Sequence, residues 1–212
     1  QVGEKMLYKI KKNKYKILEL IIIFIITLLF YLICQVLNGD EIWAYGISYN
    51  IADGLIPYRD YNLIISPLIP LINALFMMIF GKNLLVFHIL NSILYTAIFY
   101  FIKKDCPKAY LLVYIFALLY PFPQYNTVCI LLVYLLINLE KSNKNDYLLG
   151  IILGLTFLTK QSVGIFLCIP TLFTKDIKKI LKRIVGFIIP NLLILIYLIY
   201  NNILYEFIDY TF

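Results

Sequence analysis

A row of long apolar runs, joined by short polar stretches, constrains this chain more than any other feature. The first run, Ile17 to Leu37, holds 21 residues. As a helix at 1.5 Å per residue it spans about 31 Å, one bilayer crossing. Hydrocarbon offers no partner to a bare peptide group, so such runs must satisfy their own backbone as helices. Across all 212 residues, 62% are hydrophobic and 15% charged, against roughly 45–50% and 25% in soluble domains. That excludes a soluble enzyme, a nucleic-acid module and a disordered tail. A chain of this length holds roughly six to eight crossings with tight loops, and leaves no room for a separate soluble domain.

The joints divide the chain. Lys5, Lys9, Lys11, Lys12, Lys14 and Lys16 precede the first run and place the N-terminus in the cytoplasm. A cleaved signal peptide would have a shorter apolar core and a small-residue cleavage site; the run ends instead in Val36-Leu37-Asn38-Gly39. The net charge of +7 fits basic cytoplasmic loops and needs no nucleic-acid partner. Residues 38–65 carry Asp40, Glu41, Asp53 and Asp60 against Arg59, a net −3, and face outside. Within them Ile42, Tyr45, Tyr49 and Ala52 recur at helical spacing. Asp40 stands at the N-cap position, and Gly54 and Pro57 end the pattern. A short amphipathic helix over about 41–53 should therefore lie on the membrane surface.

Further helices are predicted over 66–80 and 84–102, broken at Gly81-Lys82-Asn83, and over 109–121 and 125–139, joined by Pro121-Phe122-Pro123-Gln124. Residues 147–174 read as one span interrupted at Thr159-Lys160-Gln161-Ser162, and 184–204 as the last. The result is an all-α bundle of about seven spans forming a single module over 1–212. This count conflicts with charge at one place: it puts Lys103, Lys104 and Lys108 outside. The four cysteines (34, 106, 129 and 168) form no CxxC pair and read as core residues. The chain begins at Gln1 and stops at Phe212 just after a span, which is expected of a piece of a longer protein.

Chemistry concentrates in the first outer loop. Asp40 and Glu41 follow the first span directly. A carboxylate there either caps a helix or serves as a base, and one group can do both. Glu41 is an accessory hydrogen-bonder or a surface charge. Tyr58-Arg59-Asp60-Tyr61 adds a cation and an acid before Ser66-Pro67; Arg59 either binds phosphate or snorkels, and Asp60 either meets substrate or pairs with Arg59. Lys160, inside an apolar run, is functional by default, unless the run is two short helices and Lys160 marks their joint. Trp43, Tyr45 and Tyr58 are candidates for a sugar subsite, and interfacial anchoring is the rival role for the first two. His88, alone in a span, reads as packing.

Several of these residues resemble a known family. Gly39-Asp40-Glu41, Tyr45, Ala52, Gly54, Pro57-Tyr58-Arg59-Asp60-Tyr61, Pro67-Leu68 and Phe80-Gly81 are similar to the opening of GT-C fold membrane glycosyltransferases. Within that fold the resemblance is to the dolichyl-phosphate-mannose protein mannosyltransferases and the bacterial aminoarabinose and Rgt-type transferases. Leu149 through Gln161 resembles the family's GxxLGLxxLTK segment. The resemblance covers about residues 17–205. It implies an inverting transferase that takes a sugar from a polyprenyl-phosphate donor and passes it to a glycan, lipid or protein acceptor at the outer face of a bacterial plasma membrane. It further implies Asp40 as base and Glu41 in support. The leaving phosphate would sit on Arg59 or Lys160, and a divalent cation could share that work, although no ligand spacing announces one. The rival classes are a transporter or flippase and an inactive lipid-binding scaffold.

Overall fold

The structure, a computed structural model, describes the backbone of residues 2–34, 39–119, 124–143, 145–172, 174 and 176–211, with side chains in those ranges except 2–14 and 34. The end of the first apolar run and the Pro121-Phe122-Pro123 turn lie outside the described residues, as do the side chains of the lysines before Tyr15. Ten helices are described: α1 (Val2–Cys34), α2 (Gly39–Ala52), α3 (Leu68–Phe80), α4 (Leu84–Asp105), α5 (Tyr110–Leu119), α6 (Gln124–Ser142), α7 (Asp146–Thr159), α8 (Gln161–Leu172), α9 (Ile177–Tyr200) and α10 (Leu204–Thr211). Among the described residues three stretches are long and apolar enough to cross a membrane: Tyr15–Ile33, Leu84–Asp105 and Ile177–Tyr200. Ile21, Ile25, Leu29 and Ile33 of α1 and Ile188, Leu192 and Ile196 of α9 stay exposed. Exposed apolar surface on this scale suits lipid rather than water.

Local signals set several helix ends. The side chains of Asn83, Asn145 and Asp176 accept from the amides of Val86, Leu148 and Lys178 at 2.9–3.1 Å, capping α4, α7 and α9. Four hydroxyls inside the bundle return to their own helices. Thr27, Ser92, Thr96 and Thr156 donate to carbonyls four residues back at 2.7–2.8 Å, so they add no unsatisfied polar group to an apolar interior.

The side-chain pairs define two ends of the bundle. α1 and α4 run antiparallel: Tyr31 stacks on His88 (ring centroids 5.2 Å apart), Ile23 packs with Phe99, and Glu19 pairs with Lys103. Tyr110, at the start of α5, donates to Glu19 at 2.8 Å, and Tyr114, further along, shares a hydrogen bond with Thr27. α5 therefore runs alongside α1 in the same direction. α6 returns, since Tyr134 donates to Asp105. Arg183 on α9 donates to Asp146 at 2.8 Å, to Glu140 at 3.1 Å and to the Thr171 carbonyl. One end thus gathers Lys16, Glu19, Lys103, Lys104, Glu140, Asp146 and Arg183. The other holds α2, the 53–67 loop and α10.

Two sequence expectations change. Residues 147–174 are an antiparallel hairpin, α7 and α8, because Asp146 and Thr171 both reach Arg183. α3 does not connect the two ends. It starts in the cluster of Ile47, Leu63 and Leu198 through Leu68 and Leu71. It stops beside Asp53, which accepts from Lys82 at 3.0 Å. Its 13 residues extend only about 20 Å. Apolar character alone suggested a span; the structure spends it on packing against α2. As a result Lys103 and Lys104 lie at the same end as Lys16, and the charge conflict disappears.

α7 and α9 touch backbone to backbone. Gly150 and Gly154, four apart on α7, face Gly186 and Pro190, four apart on α9. A Cβ on Gly150 would overlap the Arg183 carbonyl oxygen, and one on Gly186 would overlap that of Tyr147. Small residues at this spacing allow close helix approach without a hydrophobic driving force. Gly186→Ala should lower unfolding stability in detergent by about 1–3 kcal/mol. Gly46→Ala, in α2 with open space around it, should be neutral or stabilising by about 0.5–1 kcal/mol. Thermal melts of both variants test the contrast.

Candidate functional site

α2 lies across the end of the bundle opposite the lysine-rich one. It starts at Gly39, so Asp40 and Glu41 sit within its first turn, where its dipole favours negative charge. Asp40 therefore lies inside the helix rather than at the expected cap. The expected stripe is also displaced. Ile42 and Tyr49 are exposed, while Glu41, Ser48 and Ala52 are buried with Ile47 beside them. The inward face is consequently polar at two positions.

The two neighbouring carboxylates go separate ways. Glu41, 8% exposed, points into the bundle. It accepts from the Asn91 amide at 3.2 Å and lies 3.7 Å from His88 Nδ1. His88 is sandwiched against Tyr31, and neither of its ring nitrogens has a hydrogen bond among the described residues. Glu41 is thus a buried tie from α2 to α4 rather than a surface charge. Asp40 is exposed, and its carboxylate interacts with the Tyr125 hydroxyl at the start of α6.

Lys160 arrives at the same place from another direction. It caps α7 in an extended conformation at the joint with α8. Its ammonium donates to Asn126 Oδ1 at 2.9 Å and lies 5.6 Å from the Tyr125 ring centroid, within cation–π range. Lys160 does mark a joint between two short helices, and it is also turned onto α6. Tyr125 is therefore flanked by the carboxylate of Asp40 and the ammonium of Lys160. Beneath them Asn73 and Gln124 exchange a reciprocal pair of amide hydrogen bonds at 2.6 and 2.8 Å, with Ser48 accepting from Asn73 at 3.2 Å. This network locks α2, α3 and α6 together under the surface.

The other sequence candidates occupy the rim or the support. Tyr58 is 2% exposed in a left-handed conformation (φ 70°). It donates to the Ile65 carbonyl and meets the Phe207 ring edge-on at 5.4 Å, so it fastens the loop to α10. Burial holds its phenol well above the ordinary value. Arg59 pairs with Asp60 at 3.0 Å on the surface and lies close to Tyr197. Hydrogen bonds from Arg59 and from the Ile56 amide (2.7 Å) hold the Asp60 carboxyl below its ordinary range. Trp43 is exposed on α2, and Tyr45 packs edge-on against Phe87 at 5.7 Å. No described contact joins Arg59, Trp43 or Tyr58 to Tyr125. Among the described residues no three His, Cys, Asp or Glu side chains come together as metal ligands. Four cavities of the bundle are lined without Asp40, Tyr125 or Lys160.

Tyr125, Asn126 and the Asn73–Gln124 pair were not among the sequence candidates. The available signal was Gln124-Tyr125-Asn126-Thr127, four consecutive hydrogen-bonding residues opening an otherwise apolar helix. The chain matches no protein-family model, no curated protein and no solved structure.

The Arg59–Asp60 pair carries a pH dependence of stability. A carboxyl with a depressed folded pKa contributes stability above its unfolded pKa, and that contribution is lost as pH falls through the folded value. Stability in detergent should therefore fall as pH drops below about 4. Asp60→Asn should lower stability slightly at pH 7, where the ionised pair contributes, and converge with wild type at pH 3, flattening the acid limb. Melting profiles from pH 7 to pH 3 test it.

Proposed function

We propose that this chain is a membrane glycosyltransferase of the GT-C kind, moving a sugar from a polyprenyl-phosphate donor to an acceptor at the membrane face opposite its lysine-rich end. One observation carries the reading. Asp40 and Lys160 come from the two separate stretches that resemble the family, 120 positions apart in sequence, and they converge on Tyr125.

The pair suits displacement at an anomeric carbon. A sugar or protein hydroxyl is a weak nucleophile, so a carboxylate accepts its proton as the new C–O bond forms. Asp40 is exposed, as a base meeting a bulky acceptor must be. The anomeric C–O bond to phosphate breaks from the opposite face, with inversion, and the phosphate leaves with its electron pair. The developing charge calls for a fixed cation, and Lys160, held by Asn126 and by the Tyr125 ring, can supply it without reorganisation. Arg59 stands nearer the rim, paired with Asp60, and is the better candidate for meeting an approaching headgroup. Glu41 supports Asp40 by tying the first turn of α2 to α4. A divalent cation could add to the positive charge, although among the described residues no three His, Cys, Asp or Glu side chains gather to hold one.

The topology that fits this reading has seven crossings: α1, α4, α5, α6, α7, α8 and α9. α2, α3 and α10 would lie at the outer boundary. Lysine-rich loops then all fall on the cytoplasmic side, as the charge rule requires, in a bacterial plasma membrane. The number seven is the same as the sequence count, but the members differ: α3 drops out and α7–α8 counts twice. Single cysteines placed at Lys82 and Lys104 in a cysteine-free background should react with an impermeant maleimide from opposite sides of the membrane. The sequence count puts Lys82 inside and Lys104 outside, which reverses the expected sides.

For activity, membranes holding the protein should consume one labelled polyprenyl-phosphate sugar. Asp40→Asn should reduce transfer by about 10²–10⁴-fold in a folded protein, and Lys160→Met should reduce it as well. Donor binding without any Asp40-dependent transfer would favour the inactive-scaffold reading. Movement of an intact lipid-linked sugar across the membrane would favour the flippase reading.

A further inference from the structure

The end of α1 remote from Asp40 carries a feature that the transferase reading does not use. Between α1 and α4 lies a cavity of about 290 Å³, with Lys16, Glu19, Lys103 and Lys104 among its lining residues. Leu20 and Tyr100 belong both to this cavity and to a second recess of about 480 Å³. That recess continues along the same helix pair past Phe24 and Ala97 and is almost wholly apolar. A charged recess and a greasy one therefore adjoin along the same helix pair, with Leu20 and Tyr100 lining both.

The charges of the first recess do not cancel. Three lysines face one glutamate, a net +2. Glu19 is already engaged by Lys103 and by the Tyr110 hydroxyl. Lys16 and Lys104 are exposed and form no ion pair among the described residues. Lys16 stands at the start of the apolar stretch Tyr15–Ile33, the depth at which headgroup phosphates lie. A chain without charge would leave these ammonium groups unanswered, and a free anion would leave the groove open to water. A ligand with a phosphate head and a long hydrocarbon tail answers both, and basic pockets between spans on this side of a membrane bind such lipids. Under the proposed function the reacting donor belongs elsewhere, because Asp40 and Lys160 lie at the other end of the bundle.

We propose that the groove between α1 and α4 holds an anionic glycerophospholipid of the surrounding leaflet. Its phosphate rests on Lys16 and Lys104, and one acyl chain runs along Leu20, Phe24, Ala97 and Tyr100. The lipid fastens α1, whose outward face is bare apolar surface, to the rest of the bundle. The site depends on α1 spanning the membrane and is independent of what happens at Asp40.

The test is native mass spectrometry of the full chain, purified in detergent and supplied with equal amounts of dioleoylphosphatidylglycerol and dioleoylphosphatidylcholine. Wild type should retain the anionic lipid with at least tenfold preference. K16Q/K104Q should abolish most of that preference. K141Q/K178Q removes the same charge at the same end but outside the groove, and should keep it. Ala97→Trp, which fills the groove and leaves every charge in place, should lower retention of the anionic lipid at least fivefold, with helical content by circular dichroism unchanged. Equal retention of the two lipids by wild type would overturn the proposal. So would equal loss in the two lysine variants, or full retention by Ala97→Trp.

Discussion

Backbone contact between α7 and α9 fixes most of what this bundle can do. Glycines at 150 and 186 let the two helices meet without side chains between them, and dense packing without intervening side chains leaves little freedom to slide. That register places Arg183 inside the bundle, where it binds Asp146, Glu140 and the Thr171 carbonyl. It also carries the far end of α7 to α6, so that Lys160 reaches Asn126 and the Tyr125 ring. A buried guanidinium left without partners would be strongly destabilising. The glycine seam and the Arg183 network are therefore one device, and the position of Lys160 follows from both.

The polar side chains of the interior are sorted by depth. Toward one end lie Asn73, Gln124 and Ser48, joined by short amide and hydroxyl hydrogen bonds, and Glu41 with Asn91. Toward the other lies the Arg183 cluster. Between them the core is aromatic and aliphatic, with Phe87, Phe99, Tyr95 and Leu153 buried, and the hydroxyls of Thr27, Ser92, Thr96 and Thr156 are turned back on their own helices. Polar contacts hold the two ends where water or headgroups are near, and apolar packing holds the middle. The Asp40–Tyr125–Lys160 cluster rests on the first of these layers, so its side chains stand on a braced surface.

Helix boundaries were largely legible from the sequence. The surface helix predicted over 41–53, the break at Gly81-Lys82-Asn83 and the interruption at Lys160 all correspond to observed ends, because glycine, asparagine caps and charge runs act locally. Traverses were less legible. The apolar content of α3 resembles that of a span, and nothing local says that Lys82 will bond to Asp53. The interruption at Lys160 was visible, but its hairpin geometry depends on Arg183 meeting both Asp146 and Thr171. At the site, Asp40 and Lys160 were legible as charges in unusual places, while Tyr125 and Asn126 passed as the opening of an apolar helix.

The sequence by itself determined that the chain is helical and apolar, where most helices begin and end, and which few charges interrupt the apolar runs. Those properties follow from residue type and spacing over a turn or two. The tertiary structure alone decided which helices connect the two ends and that lysines at 16, 103 and 104 share one end. It also decided that adjacent carboxylates face opposite ways, and that Asp40 and Lys160 meet on Tyr125. The reason is physical: each outcome depends on contacts between helices far apart in sequence, set by where glycines allow close approach and where a buried charge finds its partner.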